Sequence, residues 1–236
     1  MKEVAILGGT FNPIHIGHII AAQEVLTKKN LDHIIFIPTK NPPHKNFKEL
    51  ASPHDRYEMV RLAIKDNPNF MISDIEFKRD GNSYTYDTLI QLKEFMKDTK
   101  FHLILGFDAL KYTDMWKNHE EVFKMASFIV VNRANSDSEM AEEIEAKKLK
   151  YNARISVVKI PDINISSTEI RNRVCNGESI KYLVPYEVEK YILSHGLYRG
   201  EGLERLWVYK KWSKKFIKTR KIYTFIKCWE RSNKTG

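Results

Sequence analysis

A chain of 236 residues with 42% hydrophobic content is long enough for one sizeable core, or for a domain with an appendage. Its formal net charge of +9 would suit a nucleic-acid binder, but residues 201–236 carry 11 of the 39 Lys+Arg and 3 of the 30 Asp+Glu, leaving the first 200 at +1. No nucleic acid is therefore expected on the main domain, and the basic charge belongs to the tail. Cys175 and Cys228 lack metal-ligand spacing, no apolar run approaches the roughly eighteen residues of a membrane span, and MKEVAILGG is too short in its apolar part for a secretory signal. A cytoplasmic protein with free thiols is expected.

The first apolar run, Val4 to Leu7, is too short for a buried helix and is bounded by Gly8-Gly9, which predicts a buried strand followed by a glycine turn. Ile16, Ile19, Ile20, Val25 and Leu26 then follow a helical rather than an alternating pattern, so a helix is predicted from about residue 16 to residue 29. A glycine loop feeding a helix start suits a phosphate: backbone amides approach an anion closely, and the helix end offers unpaired N–H groups. His15 and His18 are three residues apart and share one helix face, while Gly17 leaves the backbone between them open to a base or a ribose.

This stretch, Gly8-Gly9-Thr10-Phe11-Asn12-Pro13-Ile14-His15-Ile16-Gly17-His18, resembles the signature of the HxGH nucleotidylyltransferases, in the form found in bacterial nicotinate mononucleotide adenylyltransferases. It has neither a GxxxxGK[ST] phosphate loop nor the spaced glycines of a dinucleotide fingerprint. Asn12 stands where that family more often carries aspartate. The resemblance implies a doubly wound, mostly parallel α/β sheet of Rossmann-like type, with ATP held by Gly8, Gly9, Thr10, Phe11, His15, Gly17 and His18.

Further along, His33 to Pro38 is a predicted second strand, and a loop without apolar periodicity runs from it to Ser52. Lys45 in that loop suits a phosphate, and the resemblance implies that the Pro42-Pro43-His44-Lys45 loop, together with Thr39, borders the nucleotides. Ser52-Pro53 reads as a helix cap and first helical position; the apolar residues after it, from Tyr57 to Ile64, give this helix a structural role only. A third strand is expected over Phe70 to Ile75, a turn over Arg79 to Asn82, and a helix from Ser83 to about Lys97. Thr85 at that helix start would receive a carboxylate well, and a plain N-cap explains it equally. The resemblance implies that Tyr84 and Thr85 help read the nicotinate ring.

A fourth strand, Phe101 to Leu105, leads into Gly106-Phe107-Asp108, the kind of strand end where open α/β sheets bind ligands. Asp108 equally suits the cap of the next helix; the resemblance puts it near an ATP ribose. Trp116 reads as core from local sequence and as the pyridine-stacking platform by resemblance, with Lys117 replacing the tyrosine that often follows it. After a fifth strand, Ser127 to Val131, Arg133 suits an anionic substrate group. Met140 to Lys150 reads as a charged surface helix, and Ile155 to Ile160 as a sixth strand.

Ile165-Ser166-Ser167-Thr168-Glu169-Ile170-Arg171 then announces a helix start, because Ser166 and Glu169 have capping-box spacing. The extra hydroxyls and Arg171 make a second anion site, and they resemble the ISSTxxR motif with which the same family holds the ATP phosphates. An amphipathic helix over Tyr186 to His195 closes the part of the chain that the resemblance covers, residues 1–199.

No nucleophile triad or metal cluster is recognisable, and nucleotidyl transfer needs neither: the phosphate of a mononucleotide attacks the α-phosphorus of ATP and pyrophosphate leaves. Catalysis is then alignment and charge stabilisation, assigned to His15 and His18 at the phosphoryl oxygens and to Lys45 and Arg171 on the pyrophosphate side. Mg²⁺ is expected to arrive with ATP. The expected activity is AMP transfer to nicotinate mononucleotide, with nicotinamide mononucleotide or pantetheine phosphate as alternative acceptors. The basic aromatic extension, 200–236, suits a helix on an anionic membrane surface, RNA or a partner protein, and a binding module acting through it is the reading from another class. A homo-oligomer is also compatible with the sequence.

Overall fold

The computed structural model describes residues 2–42, 50–132 and 137–199. His44, Lys45, Arg133 and the basic extension lie outside the described residues.

Among the described residues, six strands form one all-parallel sheet: β1 (Lys2–Gly9), β2 (His33–Pro38), β3 (Phe70–Ile72), β4 (Thr99–Gly106), β5 (Ser127–Asn132) and β6 (Ile155–Lys159), in the spatial order β3-β2-β1-β4-β5-β6. The doubly wound α/β expectation holds. Parallel strands covered on both faces need apolar residues at successive positions, and β2 shows why its run is unbroken. Ile34 and Phe36 enter the core on one face, Ile35 and Ile37 the core on the other, and all four are buried. Each such side chain contributes about 1.5–3 kcal/mol.

Among the described residues, eight helices accompany the sheet: α1 (Ile16–Lys28), α2 (Pro53–Ile64), α3 (Thr85–Phe95), α4 (Phe107–Lys111), α5 (His119–Met125), α6 (Asp137–Tyr151), α7 (Ser167–Cys175) and α8 (Tyr186–Ser194). Residues of α1, α2, α7 and α8 join the core on one face of the sheet, and those of α3 and α5 the core on the other. Ser52 caps α2 as the sequence suggests, its Oγ accepting from the Asp55 N–H at 3.1 Å, with Pro53 in the first helical position.

Three differences from the sequence reading have a clear physical reason. β1 extends beyond its apolar run to Lys2 and Gly9, because ladder pairing reaches Thr99 at one end and Pro38 at the other. β3 stops at Ile72, where the Ser73 N–H turns to the Phe36 carbonyl and a 3-10 turn, Ile75–Lys78, follows. α6 is not only a surface helix: Met140, Ile144 and the side chain of Lys147 are buried, the last paired with Asp114 at 2.6 Å and Glu143 at 3.1 Å. No helix among the described residues is long and apolar enough to cross a membrane.

The strand order reverses direction between β1 and β4. That is the switch point at which open α/β sheets bind ligands beyond their carboxyl ends.

Candidate active site

β1 delivers the first motif to this switch point, but its two glycines do not make the turn. Both are still in the strand, and the chain bends at Phe11, whose φ of 48° is left-handed, before a cis Asn12-Pro13 peptide. Gly9 is favoured for a different reason: a Cβ there would lie 3.1 Å from the Phe11 ring, tight enough to push that ring aside. That ring is buried and meets Phe36 and, edge-on, His18 at 5.2 Å between centroids. Phe11 therefore supports the site from below.

His15 occupies the N-cap position of α1 and is buried, with His18 one turn further on. Their rings lie 3.7 Å apart, inclined by 31°, and the His15 backbone N–H donates to Nδ1 of His18 at 3.2 Å. Since Nδ1 accepts, the proton of the neutral His18 ring sits on Nε2, which becomes a donor. The space above Gly17 is taken by the His15 ring, because a Cβ on Gly17 would meet its Nδ1 at 3.1 Å. The sequence reading had left that space for a base or a ribose.

α7 brings the second motif against the first. Ser167 Oγ donates to the Pro13 carbonyl at 2.8 Å, and Arg171 Nη1 donates to the Asn12 carbonyl at 3.0 Å, across 154 and 159 residues. Arg171 also reaches Thr168 Oγ1 at 3.4 Å. Ser166 caps the helix by accepting from the Glu169 N–H at 3.1 Å, but the Glu169 carboxylate pairs with Arg173, so only half of the expected capping box forms. Ile165 packs partly buried on the core, while Ser166 and Thr168 remain exposed.

A cavity of about 330 Å³ opens at the carboxyl ends of β1, β2 and β4. Gly8, Gly9, Thr10 and Thr39 form one wall; Tyr84, Thr85, Trp116 and Lys117 form the other. Tyr84 holds the N-cap position of α3 without a side-chain cap, so Thr85 is the first helical residue and not the cap that local sequence allowed. Lys117 is clamped by Asp87, with both carboxylate oxygens at 3.0 Å, and its Nζ lies 5.0 Å from the Tyr84 ring centre. Asp108 is exposed in the first turn of α4 and lies off this wall, which its neighbour Ala109 joins. Neither histidine, nor Phe11, Gly17, Arg171 or the 165–168 segment lines the cavity; these groups gather at the turn beyond Thr10. Among the described residues, no group of three or more His, Cys, Asp or Glu side chains is arranged to hold a metal ion.

Two further residues hold this site together, and sequence reasoning missed both. Arg56, in the helix read as merely structural, is 1% exposed, and its guanidinium donates to four carbonyls. These are Ala51 at 3.1 Å, Thr10 at 2.8 Å, Thr39 at 2.6 Å and Lys40 at 2.9 Å. Burial pulls its pKa down, and the Tyr198 and Glu76 side chains oppose that shift. Its signal was spacing: Arg56 stands three and four residues before the buried Met59 and Val60, on the apolar stripe of α2. Lys147 is the second, since its bond to Asp114 fixes the 3-10 turn, Thr113–Met115, that presents Trp116. Burial raises the Asp114 pKa, but the hydrogen bond and charge of Lys147 outweigh it and hold the carboxyl below its ordinary value.

The Cytidylyltransferase-like family model matches residues 6–173. A probable nicotinate-nucleotide adenylyltransferase of Lachnoclostridium phytofermentans is 41% identical over 199 residues, which is 84% of this chain and 100% of that protein. Its counterpart in Clostridium novyi is 44% identical over 200 residues, with the same coverage. The fold is shared with Plasmodium falciparum nicotinic acid mononucleotide adenylyltransferase complexed with NaAD, at a TM-score of 0.70 and 22% identity over 84% of this chain and 98% of that one. With both motifs joined at the switch point of a parallel sheet and relatives matched over their whole length, this chain belongs to the nicotinate-nucleotide adenylyltransferase family of cytidylyltransferase-like proteins.

Proposed function

We propose that this protein transfers AMP from ATP to nicotinate mononucleotide, giving nicotinate adenine dinucleotide (deamido-NAD) and pyrophosphate. The observation that carries the proposal is the bridging of the two motifs, Ser167 to Pro13 and Arg171 to Asn12, beside a cavity large enough for a pyridine ring and ribose. Two segments that we assign to phosphates, from opposite ends of the domain, thus meet at the turn just beyond the ring pocket, as joining two phosphates requires.

A phosphate oxygen of nicotinate mononucleotide attacks the α-phosphorus of ATP, a new P–O bond forms, and the bond to the bridging α,β oxygen breaks as pyrophosphate departs. The residues of this chain align the reactants and stabilise charge on the phosphoryl oxygens. His15 and His18 are assigned to those oxygens, with the Nε2–H of the neutral His18 ring as the donor. Arg171 and Lys45 are assigned to the pyrophosphate side. Gly8, Gly9, Thr10, Phe11, Gly17, Asp108 and the 165–168 segment complete the ATP assignment. Thr39, His44, Tyr84, Thr85, Trp116 and Arg133, with Lys45, complete that for nicotinate mononucleotide. An uncapped α3 terminus at Thr85 favours a carboxylate, which supports nicotinate over nicotinamide. Magnesium enters with ATP, as part of the substrate.

On this reading residues 1–199 are the catalytic domain and 200–236 a basic extension, in keeping with relatives whose whole length corresponds to 84% of this chain. The reaction is assigned to the cytoplasm, where its substrates and free thiols belong. The test is pyrophosphate release from ATP and Mg²⁺ with nicotinate mononucleotide, nicotinamide mononucleotide and phosphopantetheine in parallel, using the full-length protein and a chain ending at Arg199. Preferential release with nicotinate mononucleotide by both is expected. A folded, ATP-binding protein that releases none with any acceptor refutes the proposal.

A further inference from the structure

We infer that Arg56 is a positioning residue that sets the spacing between the ATP half and the nicotinate half of the site; the inference rests on the activity proposed above. Its guanidinium engages four of its five N–H groups, each on a backbone carbonyl. Those carbonyls belong to different parts of the site. Thr10 follows the glycines of the first motif, Thr39 and Lys40 follow β2, and Ala51 ends the loop that joins β2 to α2.

The link reaches beyond these carbonyls, because C=O and N–H of a trans peptide point opposite ways. With the Lys40 carbonyl turned to Arg56, the Asn41 N–H is turned away from it and donates to Ser83 Oγ at 3.3 Å. The Ser83 N–H returns a bond to the Asn41 carbonyl at 3.1 Å. Ser83 immediately precedes Tyr84 and Thr85 on the far wall of the cavity. One planar cation therefore ties the turn that leads to His15 to the segment that frames the ring pocket.

Each half also has bonds of its own that do not involve Arg56. Ser167 and Arg171 hold the Asn12-Pro13 turn, and Ser83 holds Asn41. Arg56 is needed for the relation between the halves rather than for either half. Among the described residues, no carboxylate lies within ion-pair distance of it, so four carbonyl dipoles meet its charge directly and Glu76 acts only from a distance. A lysine keeps the charge but cannot reproduce a four-carbonyl fork.

The experiment compares wild-type protein with Arg56→Lys by thermal melting, by separate binding of ATP and of nicotinate mononucleotide, by binding of the joined product nicotinate adenine dinucleotide, and by turnover. The single nucleotides each read one half, whereas the dinucleotide reads the spacing. For Arg56→Lys, a misplacement on the order of 1 Å lowers turnover by about a hundredfold and dinucleotide affinity by about tenfold, with each mononucleotide bound within about threefold of wild type. Folded Arg56→Lys enzyme with wild-type turnover and dinucleotide affinity overturns the inference. So does a parallel loss of melting temperature and of all ligand binding, which would make Arg56 a general scaffold residue. If Arg56→Lys does not fold, Arg56→Gln takes the same measurements, and failure of both to fold again assigns the residue to stability alone. Wild-type protein that does not turn over nicotinate mononucleotide refutes the proposed activity itself, and the inference with it.

Discussion

The phenol of Tyr198 donates a 2.8 Å hydrogen bond to Oδ1 of Asn12, joining the last turn of the described domain to the first motif across 186 residues. The same oxygen accepts from the Ala51 N–H at 3.0 Å. Asn12 thus serves as an acceptor, a task that the aspartate more usual in the resembled family would also perform, so these two bonds do not require a negative charge. Burial keeps the Tyr198 phenol protonated far above its ordinary range, against the pull of Arg171 and Arg56. Tyr198→Phe removes this bond and is expected to cost about 1 kcal/mol of stability by denaturant unfolding. Turnover should fall several-fold, since Asn12 also carries the carbonyl that Arg171 holds. Unchanged unfolding and turnover would sink this account of the link.

His18 should separate activity from stability. It is half-buried, and its ring accepts a backbone bond from the His15 N–H, which is worth about 1 kcal/mol. A donor aimed at charge developing on a phosphoryl oxygen is worth roughly 3–4 kcal/mol, or a hundred- to thousandfold in rate. His18→Ala is expected to lose that rate while melting close to wild type. Steady-state assays beside a thermal melt decide it, and an unchanged rate removes the assignment.

The contact between α2 and α8 predicts how stability responds to pH. Tyr191 donates to Asp55 at 2.9 Å. Burial raises the Asp55 pKa, but hydrogen bonds from Ser52 and Tyr191 outweigh it and leave the carboxyl below its ordinary 3.8. A depressed carboxyl contributes stability above the unfolded value and loses it as the pH falls through the folded one. For Tyr191, burial first and the bond to Asp55 second push the phenol from 10.0 up to about 12. Its contribution is complete below pH 10 and is lost as the pH rises toward about 12. The contribution of this contact should therefore hold level between these limits, and Tyr191→Phe should flatten the alkaline limb. An alkaline limb unchanged in the variant would show that other groups set it.

The order of elements was legible because both faces of a parallel sheet are covered. β2 reads as an unbroken apolar run between polar neighbours, and its predicted bounds, His33 to Pro38, match the structure. Strand ends were harder, as ladder pairing at Lys2 or Gly9 depends on neighbouring strands and not on local hydropathy. Within the site, Thr10, Thr39, Tyr84, Thr85 and Trp116 were named from sequence and share one cavity wall or the other. Arg56 was not, because arginine on a helix reads as surface until the carbonyls that surround it are known. Lys147 was hidden for the same reason, its carboxylate partner Asp114 lying 33 residues away. Composition announces apolar burial well, but a buried cation is legible only through partners that the fold supplies.

Gly17 gives the sharpest test of the first motif, because stability and activity should move apart. It lies in the first turn of α1 with no left-handed φ, so alanine fits the backbone and would ordinarily stabilise a helix by roughly 0.5–1 kcal/mol. The added Cβ, however, would stand 3.1 Å from Nδ1 and 3.2 Å from Cε1 of His15. That ring is buried and has the His18 ring 3.7 Å away, so it yields only by shifting the histidine pair. Gly17→Ala is expected to melt close to the wild-type temperature, the helix gain offsetting the cost of the shifted rings, while turnover falls about tenfold to a hundredfold through displacement of the pair. A melting curve and a pyrophosphate-release assay on the same preparation read both quantities. Full turnover in the folded variant would show that the His15 position tolerates the shift, and that Gly17 is small for some reason other than His15.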